Sequence, residues 1–247
     1  MTGTIKNMHY DFKQKLNRLD SNKYIGLQIP QIDRKLNEAL SLYILLVVEP
    51  RIKNQMGFET NQRTIDDIKI LVKNNVELTL SDLHDTNDKE ASMPDDYLYY
   101  ISSGQLLATK DGCENKEMKT TVIKHDNRSN ESEFYNSNFE WRECNIRFFD
   151  GGIRLFQNDF TITKFTINYI KVHPYIHNAE DFTGGTYTLP DGTVLGITVP
   201  YVDCILPLIT HNEIVDLAVL LTTGDLELPS AYQFKNNTLK INQLLNN

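Results

Sequence analysis

Apolar residues recur at two different periods along this chain, and the change of period divides it. From Ile29 to Pro50 the period is helical: Ile32, Leu36, Ala39, Leu40, Tyr43 and Val47 return every three or four residues and line one face. Pro30 suits the first turn, where its missing N–H has no helical partner to lose. Pro50 disfavours helical geometry at Glu49, so the helix is expected to stop near Val48. A second stripe, Leu42, Leu45 and Val48, points away from the first. A helix apolar on two sides is covered on two sides. Either the rest of the chain covers the second stripe or another subunit does, and periodicity does not choose.

The same period predicts helices around it. Phe12, Leu16 and Leu19 mark a short one, ended by the Asp20-Ser21-Asn22 turn cluster. A connector, Arg51 to Arg63, contains Gly57; Thr64 then reads as an N-cap, opening a helix with Ile65, Ile68, Leu71 and Val72 inside. Near the other end Thr210 and Glu213 have capping-box spacing. Ile214, Leu217, Ala218 and Leu221 follow as an inner face, with Val215 and Val219 as a second stripe and Gly224 as a C-cap. Leu239 to Leu245 adds one further helical turn.

Between these regions the period is two. Tyr97–Ser102 and Gln105–Thr109 flank Ser103-Gly104, a hairpin turn, and Lys119–His125 is another strand. After the polar loop Asp126 to Asn138, Phe139–Phe149 and Ile153–Gln157 surround Asp150-Gly151-Gly152. In Asp159–His173 the buried parity changes between Ile162 and Phe165, which requires a β-bulge near Lys164. Thr186–Leu189 and Thr193–Val199 form a last hairpin across Pro190-Asp191-Gly192. The order implies an α+β protein in which N- and C-terminal helices form one helical bundle (1–76 with 205–247). An acidic connector (77–95) leads to an inserted antiparallel β-domain (96–200). Hairpin tips are natural contact points, so Asp150, Gly151, Gly152, Asp191 and Gly192 are the expected partner-facing residues. Leu42, Leu45, Val48, Val215 and Val219 are the expected subunit interface.

Composition narrows the partners. With 33 acidic against 25 basic residues the net charge is −8, which argues against a protein that grips nucleic acid by its phosphates. Apolar runs stay short of the roughly eighteen residues that a membrane span needs, and the N-terminus has no signal-peptide core. Cys113, Cys144 and Cys204 are too few and too widely spaced for a disulfide framework or a CxxC metal knuckle, and fit a reducing cytosol.

Catalytic motifs are missing where chemistry would need them. His173 and His177 have the spacing of a helical metal pair, but Pro174 and the surrounding alternation place them on extended chain. Asp85, Asn87 and Lys89 imitate an EF-hand start, with Glu90 where glycine is required. Gly151-Gly152 and Gly184-Gly185 lack the strand-to-helix context of a phosphate loop. His211 beside the capping box reads as structural. No catalytic residue, metal ligand or cofactor is expected, and the chain does not read as an enzyme.

Three segments carry a family likeness: Leu19–Arg51 followed by GFETNQRTIDDIKILVKNN; FEWRECNIRFFDGGIRL with INYIKVHPYIHNAEDF; and LPLITHNEIVDLAVLLTTGDLELPSAYQFKNNTLKINQ. Together they resemble ring-forming structural proteins of the neck and tail, below the portal, of crAss-like bacteriophages of gut Bacteroidales. The order of regions is also similar to the adaptor or tubular proteins that extend a podovirus portal. The resemblance implies a virion protein, assembled in the bacterial host cytoplasm, that forms a head–tail ring of about twelve copies. It would contact the portal and other ring proteins and pass DNA through its lumen without specific binding. A second reading is a decoration or fibre-attachment module whose β-domain binds glycan or protein, with Tyr97, Tyr99, Tyr100 and Trp141 as contributors.

Overall fold

In the computed structural model the described residues are 4–19, 26–48, 66–83, 88–123, 137–195 and 200–225. The chain divides into two compact units, Met1–Ile70 with His173–Asn247, and Leu71–Val172.

The second unit is one eight-stranded sheet. Its strands are β1 (Val72–Glu77), β2 (Leu80–Asp82), β3 (Lys89–Ser92), β4 (Tyr97–Lys110), β5 (Cys113–Val122), β6 (Glu143–Phe149), β7 (Gly152–Leu155) and β8 (Thr161–Lys171), in the order β1-β8-β4-β5-β6-β7-β3-β2. All neighbours are antiparallel except β5 and β6, whose parallel register runs from Lys119↔Glu143 to Val122↔Ile146. The core lies on one face: Leu106, Ile146, Ile153, Phe165, Ile167 and Tyr169 are almost wholly shielded, with Met118, Phe139 and Phe160 beside them. The parity change in β8 is real. Leu107 pairs with Lys164 and Ala108 with Ile162, so Thr163 is the extra residue, and Ile162 and Phe165 both face the core.

The first unit holds α1 (Ile5–Leu19), α2 (Ile29–Val48) and α3 (Leu208–Asp225), with a two-stranded hairpin of β9 (Tyr187–Thr188) and β10 (Val194–Leu195). In α2 the Gln31 side chain accepts a hydrogen bond from the Gln28 N–H at 3.0 Å, the reciprocal half of a capping box. All six residues of its first stripe are buried. α1 turns Ile5, Met8, Phe12 and Leu16 inward, and its first N–H donates to Asp203 Oδ1 at 2.7 Å. α3 is buried on nearly every side, Ile214, Val215, Ala218 and Val219 alike.

Several expectations need correction. The chain is not a terminal helical bundle with an inserted antiparallel β-domain: it is mostly one large mixed sheet accompanied by a few helices. The third N-terminal helix stops short of its expected end at Val72. Positions 66–68 make one turn, Lys69–Leu71 a 3-10 turn, and Val72 already starts β1. The stretch 77–95 carries β2 and β3. Ser103-Gly104 is no turn, because β4 runs through it for 14 residues. Gly104 is there for close approach: a Cβ would stand 2.4 Å from Thr166 Oγ1. The actual turn is Asp111-Gly112, both at positive φ (45° and 84°), as a type I′ hairpin requires. α3 begins at Leu208, so Thr210 is not its N-cap; the Thr210 hydroxyl donates to the Pro207 carbonyl at 2.8 Å. Gly224 still lies within α3. The Asp20 turn cluster, the Arg51–Arg63 connector, Thr64, Ile65, Glu49 and Pro50, Asp85, Asn87 and the 239–245 turn lie outside the described residues, as do positions 124–136, 196–199 and the Leu19 side chain.

Candidate functional site

Two places gather polar chemistry, one in each unit. The first is closed. Asp33 sits on the inner stripe of α2 with no exposed surface, a carboxylate where the pattern otherwise places aliphatic residues. Its Oδ1 is 2.6 Å from His9 Nε2; its Oδ2 accepts from the Tyr187 hydroxyl at 2.7 Å and from the Asn178 N–H at 3.1 Å. One turn on, Asn37 accepts from the Ile176 N–H at 2.9 Å and donates to the Ile176 and Asp33 carbonyls, both at 2.7 Å. Through these bonds α2 pins the extended segment 173–178. A buried carboxylate is tolerable only with such a shell of donors. Burial, with the Asp33 carboxylate accepting its proton, pushes the Tyr187 hydroxyl far above the ordinary tyrosine range.

Four histidines of this unit are buried: His9, His173, His177 and His211. His173 and His177, the spacing considered for a metal, do sit on extended chain. His173 Nδ1–H donates to the Pro174 carbonyl at 2.6 Å, and its Nε2 accepts from the Ile205 N–H at 3.2 Å. Cys204 Sγ lies 3.8 Å from that same Nε2, which resembles a nucleophile–base pair. The chemistry does not follow. Burial raises the thiol to about 11, and the imidazole lone pair is already engaged by Ile205. His211 Nε2–H donates to the Leu206 carbonyl at 3.1 Å, a structural role. Among the described residues no three His, Cys, Asp or Glu side chains converge as metal ligands. No helix among them is long and apolar enough to cross a membrane.

The second place is open. A groove of about 680 Å³ lies on the sheet unit between β4, β5 and the turn before β6. It exists because β4 pairs with β5 only from Leu106 to Lys110, while β5 beyond Met118 pairs with β6. Phe139, buried in the sheet core, anchors the turn 139–142. Asn138 closes it, exchanging backbone bonds with Glu143 at 2.8 and 3.1 Å and accepting the Glu140 and Trp141 N–H groups on Oδ1 at 2.7 and 3.3 Å. This turn holds Trp141 at the rim, 59% exposed, and puts Arg142 at φ 58°, the left-handed region that disfavours a residue with a Cβ.

The residues expected at interfaces fall unevenly. Leu42, Leu45 and Val48 are half-buried on α2. Val215 and Val219 are 1% and 0% exposed, packed within their own unit and not presented to a second copy. Asp150 and Gly151 are exposed at the β6–β7 turn, while Gly152 is buried as the first residue of β7. Asp191 and Gly192 are exposed at the β9–β10 turn, in the unit that holds the helices. Of the aromatic residues named for a binding face, Tyr97 and Tyr100 pack on the sheet core, leaving Trp141 as the one at the groove rim with a wide exposed face. Sequence reasoning missed Asp33, His9 and Tyr187. The signal was present, since Asp33 shares the spacing of Leu36, Leu40 and Val47. Comparison with models of known protein families and with characterised proteins finds no match.

Proposed function

We propose that this chain is a structural subunit of a bacteriophage neck or tail, closing into an oligomeric ring that joins head to tail and lets DNA pass. The observation that carries this reading is an adjacent apolar pair at the first turn of α3: Leu208 is 51% and Ile209 66% exposed. Large apolar side chains left together in water mark a contact surface. Tyr10 and Tyr201, on the same unit, are exposed as well. In a closed ring the contact is heterologous, one patch against a different patch of the next copy. Leu208 and Ile209 of one subunit are assigned to the half-buried stripe Leu42, Leu45 and Val48 of its neighbour. A net charge of −8 suits a conduit that does not hold its polyanion. Negative-stain imaging of the purified chain tests the reading: closed rings with a central hole support it, and uniformly monomeric particles at micromolar concentration refute it.

A further inference from the structure

We propose that the groove beside Trp141 binds a neutral oligosaccharide. The proposal does not depend on ring assembly. Three features of the groove lead to it. The rim carries one broad aromatic side chain, Trp141, on a turn whose backbone is fixed by the Asn138 side chain and by the Asn138–Glu143 backbone pair. Pyranose rings are apolar on their C–H faces and stack on such surfaces, and an aromatic carried on a fixed backbone turn loses less freedom on binding than one on a loose loop.

The charges lining the groove cancel. Glu117 and Glu143 stand against Lys119 and Arg142; all four are exposed, and none makes an ion pair with another described residue. A cleft with two carboxylates and two cations has no net attraction for a polyanion or polycation. It offers charge-assisted donors and acceptors to hydroxyl groups, which serve as both. Between them lie further hydroxyls, Ser102, Ser103 and Thr120, with buried Met118 beneath. The volume, about 680 Å³, is within the range of roughly 300–1,000 Å³ typical of small-ligand sites.

Arg142 supplies the second kind of observation. A turn whose last residue has positive φ is built most easily with glycine or asparagine, yet arginine stands here and lines the groove. Strain kept in the backbone where a side chain is presented to a cleft is the pattern of a ligand-contacting position.

The test uses the full chain and its single tryptophan. Emission is followed while maltohexaose, mannohexaose, xylohexaose or galactohexaose is added, with a heparin hexasaccharide and a Gly/Ser/Thr hexapeptide as charged and peptide controls. The expected result is a saturable change with at least one neutral hexasaccharide and none with the controls. By calorimetry, Trp141→Ala then weakens that binding about tenfold or more, and Glu143→Ala weakens it severalfold. Both residues are exposed, so each variant should keep the parent's circular dichroism. The proposal is overturned if none of the four sugars gives a saturable change, if only a control does, or if both variants bind the sugar as the parent does.

Discussion

Removing the Asp33 carboxylate should cost the helical unit more than any other single polar change. Asp33→Ala leaves three donors, His9 Nε2–H, the Tyr187 hydroxyl and the Asn178 N–H, without the acceptor they share. Each buried donor left unsatisfied costs about 1–3 kcal/mol. Water entering the vacated space recovers part of that, so the expected loss is about 3–5 kcal/mol. Asp33→Asn keeps one carbonyl oxygen for Tyr187 and Asn178 and turns its NH2 to His9 Nε2, which accepts it in the other tautomer, so the expected loss is smaller, about 1–2 kcal/mol. Tyr187→Phe removes one donor to a carboxylate, about 1.5–3 kcal/mol. Because Tyr187 and Asp33 share the bond, the double variant Asp33→Ala/Tyr187→Phe should lose less than the two single losses together. Urea unfolding near neutral pH, followed by far-ultraviolet circular dichroism at the helical minimum, measures all four. If Asp33→Ala cost less than about 1 kcal/mol, or the two substitutions were additive, the cluster would not be the anchor of this unit.

The strain at Arg142 predicts that Arg142→Gly stabilises the sheet unit by about 1 kcal/mol, read from urea unfolding by tryptophan emission; a loss of stability would show that the left-handed backbone there is not strained. Burial holds His177 and His211 below the ordinary histidine value of 6.5, so the unfolded chain takes up protons first as pH falls. Their contribution is complete above pH 6.5 and is lost below it; the urea midpoint of the helical unit should drop from neutral to mildly acid pH, and an unchanged midpoint would contradict this. Duplex DNA should bind weakly at physiological salt, and a submicromolar affinity by fluorescence anisotropy would replace the passive conduit with a DNA-gripping role.

What the sequence shows depends on how local the determining interaction is. α2 was legible because one face repeats over five turns and its proline marks the start. The bulge in β8 was legible because Ile162 and Phe165 cannot share a face without an extra residue. Gly104 misled, because a glycine required by a neighbouring strand looks the same as a glycine required by a turn. Asp111-Gly112, the stronger hairpin signal, lay unused a few residues on. The parallel β5–β6 pair joins segments about twenty residues apart, and no local pattern encodes that choice of partner. It is what makes the sheet mixed and what opens the groove. Asp33 was hidden for the opposite reason: its spacing is that of a core residue, and only His9, Tyr187 and Asn178, distant in sequence, explain a carboxylate there. Thr210 and Glu213 satisfied a local motif that the chain does not use, since Pro207 and Leu208 start α3 earlier.

The most direct test of the structural-subunit reading is the mass of the purified chain by light scattering across a concentration series, beside the variant Ile209→Asp. The account predicts a closed assembly many times the 28.5 kDa of one chain, with Ile209→Asp folded and running at 28.5 kDa. A parent that stays at 28.5 kDa at every concentration, or a variant that assembles as the parent does, would contradict it.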